Sequence, residues 1–335
     1  MKNRVLSVVT EGGRMFGFGH ITRCLSISTI FERYNFDINF ILNGDSSVSS
    51  ILDKTKHTVF DWSKEQNKLL NILLESSFIL IDSMQITDQE ILNIEALGKE
   101  VIFIDDEKRR NILNRGFVVD WTVLSEDKHF IVKKEDVRYL LGSRYTPLRK
   151  EFTLAKKNSI KKDLKSIMLT LGGSDVRDLS PIILKSLVDS FPDIKKSIVI
   201  GLGFTNIKEI ESHKDKNTEL IFNASTSTMI ELMQKSDLAI ASGGQTLYEL
   251  ARIGTPTIAI LLVENAKDDT LGWNEVGTLI NIGWYDDEKL LDKLSKTIFS
   301  LQDKNIRQSM QDKAKPYIDA NGALCLVDAI LEVSK

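Results

Sequence analysis

Apolar residues in the first part of the chain gather in short runs, most of them ending at turn residues or a carboxylate. Residues 5–9 form the first run, 38–42 and 58–60 the next two, and 78–81, 101–104 and 117–119 the three after that. The continuous runs 78–81, 101–104 and 117–119 mark strands covered on both faces, because a strand with one wet face alternates instead. The stretches between them, beginning with 25–31, read as helices. Strand and helix in alternation imply a parallel sheet with right-handed crossovers. The pattern restarts at 166–171 and continues through 197–200, 219–222, 238–240, 257–263 and 280–284. Helices are expected over 180–191, 228–235, 287–301 and 305–334. Residues 140–152 close the first series, and the lysine-rich stretch 156–165 reads as a linker.

Each series opens with a strand that runs into glycines. In the first, Gly17-Phe18-Gly19-His20-Ile21-Thr22-Arg23-Cys24 joins strand to helix. Glycines let the backbone approach a ligand closely, and the first N–H groups of the helix make an anion site. His20, where turn meets helix, can take or give a proton near neutral pH. The turn is neither a complete dinucleotide fingerprint nor a P-loop, and the same pattern also closes any tightly packed βα unit.

The second series opens on a strand ending in Gly172-Gly173-Ser174-Asp175. Its densest chemistry is Ser242-Gly243-Gly244-Gln245-Thr246-Leu247-Tyr248-Glu249. A small-residue turn there offers N–H groups to phosphate oxygens, and Glu249, one turn into the helix, can accept hydrogen bonds from a ribose diol. The plainer alternative has Ser242 and Thr246 capping the helix and Glu249 complementing its dipole. Asp82, Asp106 and Asp120 follow first-half strands, where ligands of open α/β sheets bind, although aspartate there also serves as a cap or turn former.

Composition narrows the class. A chain of 335 residues favours two domains of roughly 150 residues each. A net charge of -3 argues against a general nucleic-acid binder. Cys24 and Cys325 give neither metal spacing nor a disulfide framework, and no apolar run approaches the ~18 residues of a membrane span. A cytoplasmic protein is the expectation. His57, His129 and His213 have no partners at ligand spacing and receive no role.

Taken in order, six segments resemble the motifs of one family: Gly17 to Cys24, Leu80-Ile-Asp-Ser83, Ile104-Asp-Asp106, Leu141-Gly-Ser-Arg-Tyr-Thr-Pro-Leu-Arg-Lys-Glu-Phe152, Leu171-Gly-Gly-Ser-Asp175, and Ser242 to Glu249. That family is the nucleotide-sugar hydrolase of pseudaminic acid biosynthesis, with the related spore-coat polysaccharide glycosyltransferases. The resemblance spans about residues 5–283. It implies an α/β protein of GT-B fold, two doubly wound Rossmann-like domains facing across a cleft. Residues 1–154 would carry the sugar and the catalytic histidine, 166–318 the nucleotide, and 319–335 a terminal helix packing back on the first domain.

The implied reaction removes UDP from UDP-2,4-diacetamido-2,4,6-trideoxy-β-L-altropyranose by water attack at the anomeric carbon, with inversion and without metal or cofactor. His20 is then the general base or water-orienting group, and Asp82 or Asp106 shapes the sugar pocket or assists the water. Gly17, Gly19, Arg23, Tyr145, Gly172, Gly173, Ser242, Gly243, Gly244, Gln245, Thr246, Glu249 and Asn265 are the candidate substrate contacts. Where the hydrolases commonly carry Asn-Gln, this chain has Asn265-Ala266. The alternative is a GT-B glycosyltransferase in which a sugar or protein hydroxyl replaces water, with an acceptor glycan or peripheral membrane contact. A nucleotide-sugar-binding protein without turnover is the third class. The partner in each is a small-molecule nucleotide sugar rather than nucleic acid.

Overall fold

The computed structural model describes residues 4–13, 16–128, 133–155 and 159–333. His129 and residues 156–158 of the expected linker lie outside the described residues. The chain divides into two units, Met1–Lys150 with Ala320–Lys335, and Glu151–Asp319.

The sheet of the first unit contains β1 (Arg4–Gly12), β2 (Phe36–Gly44), β3 (His57–Val59), β4 (Phe78–Asp82), β5 (Glu100–Ile104), β6 (Gly116–Asp120) and β7 (Val137–Leu141), in the order β3-β2-β1-β4-β5-β6-β7. All its pairings are parallel. Order reverses between β1 and β4, which leaves a crevice at their C-terminal ends, the position where open α/β sheets take ligands. The core on one side of this sheet joins Val9, Ile41, Ile79, Ile81 and Phe103 to Leu69, Leu73, Ile91 and Ile94 of the covering helices. β1 runs on past the apolar run to Gly12, because Thr10 and Glu11 keep their register with Leu42 and Asn43 of β2. β7 was not among the expected strands. Its sequence, Val-Arg-Tyr-Leu-Leu, has only one fully buried position and so lacks the continuous apolar signature.

The second unit repeats the plan with β8 (Ser166–Thr170), β9 (Lys195–Ile200), β10 (Thr218–Phe222), β11 (Leu238–Ser242), β12 (Thr257–Leu261) and β13 (Leu279–Trp284), ordered β10-β9-β8-β11-β12-β13. The reversal falls between β8 and β11, the two strands that lead into the Gly172 and Ser242 turns.

The expected helical stretch 305–334 is two helices, Lys304–Ala314 and Gly322–Val333. Pro316, which has no N–H to donate, and Ala320, at φ 70°, fall between them. The last helix completes the first unit: Leu326, Val327 and Ile330 are fully buried, and Tyr34 donates to Asp328 at 2.5 Å. Gly322 lies so close to the Thr146 backbone that a Cβ would collide with it. Leu326→Ala is expected to cost about 2–5 kcal/mol in urea unfolding; a loss below about 1 kcal/mol would mean that this helix is only loosely attached.

Candidate functional site

The crevice of the first unit is built from a strand end and a helix start. Asp82 is the last residue of β4, and the helix Gly19–Arg33 places His20 and Arg23 one turn apart on the same face. Asp82 is 1 % exposed and collects donors from three side chains. His20 Nδ1 lies 2.8 Å from Oδ1, Arg23 Nη2 donates to Oδ1 at 2.5 Å and Nε to Oδ2 at 2.6 Å, and the Cys24 thiol donates to Oδ2 at 3.3 Å. Arg23 also donates from Nη1 to Asp106 at 2.9 Å, and its guanidinium lies 5.0 Å from the Trp121 ring centre.

This arrangement fixes the tautomer of His20. Arg23 Nη2 also approaches Nδ1, at 3.1 Å, but arginine can only donate and Asp82 can only accept while ionised. Nδ1 therefore carries the proton, bonded to Asp82, and Nε2 presents a lone pair. Burial opposes a charged imidazole, yet the Asp82 charge and hydrogen bond outweigh it, and the His20 pKa rises above its ordinary 6.5. For Asp82 burial acts in the raising direction, and the Arg23 and His20 charges overcome it, holding the carboxyl well below its usual range. Asp106 goes the other way. Burial pushes it up to about 7; Arg23 opposes this, whereas Asp82, Glu107 and Asp120 add to it.

Beside these groups is a polar recess with ≈ 10 Å³ of space for the centre of a water molecule, lined by His20, Arg23, Asp82, Asp106, Lys108 and Arg110 among others. That volume matches about one water. Asp120, in contrast, is fully buried and held by Arg109 Nε at 2.8 Å and the Thr122 N–H at 2.9 Å, a structural pair.

In the second unit the turns after β8 and β11 are neighbours: a Cβ on Gly172 would lie 3.9 Å from Ser242 Oγ. The helix Gln245–Ile253 has Gly244 at its N-cap with no side-chain cap bond, so the capping role considered for Ser242 and Thr246 is not what the fold uses. Gly243 is packed against Ala266 and Thr270, where a Cβ would collide, whereas a Cβ on Gly173 would meet nothing within 4 Å. Glu249 is 5 % exposed, and Asn265, in the turn Glu264–Ala266 after β12, is exposed. Asp175 is occupied as a cap, accepting from the Leu179 and Ser180 N–H groups at 3.0 and 2.8 Å.

No family model matches the chain. An uncharacterized protein of Methanocaldococcus jannaschii is 27% identical over 76% of the chain and 55% of its own length. The spore coat polysaccharide biosynthesis protein SpsG of Bacillus subtilis is 23% identical over 98% of the chain and 97% of its own length. A Helicobacter pylori protein, pseudaminic acid cytidylyltransferase and UDP-2,4-diacetamido-2,4,6-trideoxy-beta-L-altropyranose hydrolase, is 22% identical over 74% of the chain. The chain thus spans about half of the first relative (55%) and 43% of the third. Among solved structures, Acinetobacter baumannii MurG aligns with a TM-score of 0.70 at 12% identity, covering 98% of this chain and 99% of that one. Anabaena HepE in complex with UDP and glucose aligns at 0.65 and 12%, covering 99% and 100%. The chain has the GT-B fold of these solved structures and is similar to SpsG along nearly its whole length.

Of the expected site residues, the structure gathers His20, Arg23, Asp82 and Asp106 in one cluster of the first unit. Gly17 and Gly19 are exposed at the start of the same helix, and Gly17 exchanges two backbone hydrogen bonds with Gly13 at 2.8 and 3.0 Å. Tyr145 is buried at 4 % exposure, beneath the Arg144 guanidinium, whose Nη2 donates to its hydroxyl. Sequence reading missed Glu11, 2 % exposed at the end of β1, which accepts from the Met84 N–H at 2.6 Å and adds negative charge near His20. A carboxylate ending an apolar strand was its signal. Among the described residues no helix is long and apolar enough to cross a membrane, and no His, Cys, Asp and Glu group is arranged to hold a metal.

The raised Asp106 pKa sets a linkage. Its stabilising contribution is complete below the unfolded carboxyl value of 3.8 and is lost as pH rises through about 7. Urea melts across that window are expected to fall less steeply with pH for Asp106→Asn than for the parent chain; parallel curves would contradict the buried-carboxyl account.

Proposed function

We propose that this chain is a nucleotide-sugar hydrolase that cleaves the anomeric C–O bond of a UDP-sugar with inversion, releasing UDP and a free amino-deoxy sugar. The observation that carries the reading is the His20–Asp82 pair beside a recess of one-water size. Water in the recess gives a proton to His20 Nε2 while its oxygen attacks the anomeric carbon. The bond to the diphosphate oxygen breaks, and its electron pair leaves with UDP. Asp82, bonded to Nδ1–H, stabilises the imidazolium that forms, and the proton then passes to solvent. Arg23 spends its donors on the two aspartates, so its role here is to position them.

UDP belongs to the second unit in this reading. The open backbone at Gly172, Gly173 and Gly244, with Ser242, Gln245 and Thr246 at an uncapped helix start, offers N–H and hydroxyl donors to the diphosphate. Glu249 serves the ribose, and Asn265 an oxygen of the diphosphate or sugar. Gly17 and Gly19 leave the His20 turn open to the sugar. The HepE structure with UDP and glucose, on the same fold, supports the nucleotide-sugar class. The second reading, a glycosyltransferase, is favoured by SpsG, a polysaccharide biosynthesis protein matched over 97% of its length.

The test is incubation with a panel of UDP-sugars without acceptor, followed by NMR. Release of UDP and the inverted free sugar is expected, and His20→Ala should lower it by about 10²–10⁴-fold while leaving UDP affinity intact. UDP binding without release would overturn hydrolysis in favour of transfer.

Because neutral His20 is the base, kcat/KM should fall as pH drops through a value above 6.5. Asp82→Asn removes the charge that raises that pKa, so its residual activity should show the acid limb at lower pH. An acid limb that does not move would uncouple Asp82 from the base.

A further inference from the structure

Two loops wall the recess beside His20. One follows β4 and contains Ser83, Met84 and Ile86; the other follows β5 and runs from Asp105 to Asn111. Backbone hydrogen bonds of the sheet end below them, at Ile81 with Phe103. Two cations of the second loop reach across to carbonyls of the first. Arg110 donates from Nη1 to Ile86 O at 2.7 Å and from Nη2 to Ser83 O at 3.5 Å, and Lys108 Nζ donates to Met84 O at 2.8 Å. Arg110 is also tied to its own loop and strand, with Nε 3.8 Å from Asp105 Oδ1 and the guanidinium 4.9 Å from the Phe103 ring centre. Its side chain is 13 % exposed. Arg109 and Asn111 on either side adopt positive φ, 47° and 49°, a backbone path that brings Arg110 inward between them.

Resting on the hydrolytic reading above, we infer that Arg110 is a specificity-determining positioning residue: by clamping the two loops it keeps the recess beside His20 fitted to water in preference to a larger nucleophile. The clamp is a planar, multidentate donor set, which lysine matches only in part. With ≈ 10 Å³ for the centre of a water molecule, the recess holds about one water, so a bulkier acceptor hydroxyl enters it at a disadvantage. A close-fitting pocket discriminates one methyl-sized group by roughly 10–200-fold. Loosening the clamp therefore changes which nucleophile is used, which a general structural weakening would not do.

The experiment measures product partition. The parent chain, Arg110→Met and Arg110→Lys are each incubated with UDP-2,4-diacetamido-2,4,6-trideoxy-β-L-altropyranose and with UDP-N-acetylglucosamine, in water and in water with methanol. Free sugar and methyl glycoside are then counted by NMR. Arg110→Met keeps the apolar stem on Phe103 and removes the donors, so folding is preserved, which circular dichroism verifies. The expected result is free sugar with only a small share of methyl glycoside from the parent chain, a methyl glycoside to sugar ratio at least about tenfold higher for Arg110→Met, and an intermediate ratio for Arg110→Lys. An unchanged ratio with slower turnover overturns the assignment of Arg110 and leaves hydrolysis standing. Methyl glycoside formed readily by the parent chain overturns the size selection. No release from either nucleotide sugar by the parent chain overturns the hydrolytic reading, and this inference with it.

Discussion

The bonds from Arg23 to Asp82 are the constraint on which the first unit's site depends. Burying an arginine at 13 % and an aspartate at 1 % exposure costs several kcal/mol per ion in desolvation, and only close, multiply bonded geometry offsets it. Here the carboxylate has its acceptor sites occupied by arginine, histidine and cysteine, and the arginine divides its donors between two aspartates. The pair also sits where the sheet order reverses, so the charge is concentrated at the mouth of the crevice. Once Asp82 is locked as an anion, the tautomer and basicity of His20 follow from it.

Two carboxylates on one guanidinium end in opposite states. Asp82 lies on the bidentate side and stays ionised; Asp106 has a single bond to Arg23 and faces Asp82, Glu107 and Asp120. Environment alone separates two chemically identical groups, and acid–base sites commonly use this arrangement to obtain a fixed anion and a titrating neighbour.

Much of this was legible in the sequence because doubly wound sheets write themselves plainly. The buried parallel strands gave continuous apolar runs, and the residues after them marked the C-terminal edges. His20, Asp82 and Asp106 could be named because they stand at those edges, but nothing in the sequence says that β1 and β4 are neighbours, which is what brings His20 to Asp82. Arg23 read as a substrate contact, since an arginine's partners 59 and 83 residues away cannot be inferred from spacing. Glu11, Lys108 and Arg110 were passed over for a related reason: charges near turns are ordinarily solvated. The strand Val137–Leu141 escaped because an outermost strand, covered on fewer sides, loses the apolar run that revealed the others.

The return of the last helix to the first unit has a consequence for how the protein is made. The last helix, with Leu326, Val327 and Ile330 buried, packs against the helix that bears His20, yet it is synthesised after the whole of the second unit. During translation the first unit waits with an exposed apolar face, while the second can close from contiguous sequence. Unlike the usual order, in which the N-terminal domain folds first on the ribosome, the half carrying the histidine is completed last. A chain ending after residue 319 but before residue 322 holds the whole of the second unit and lacks the helix that finishes the first.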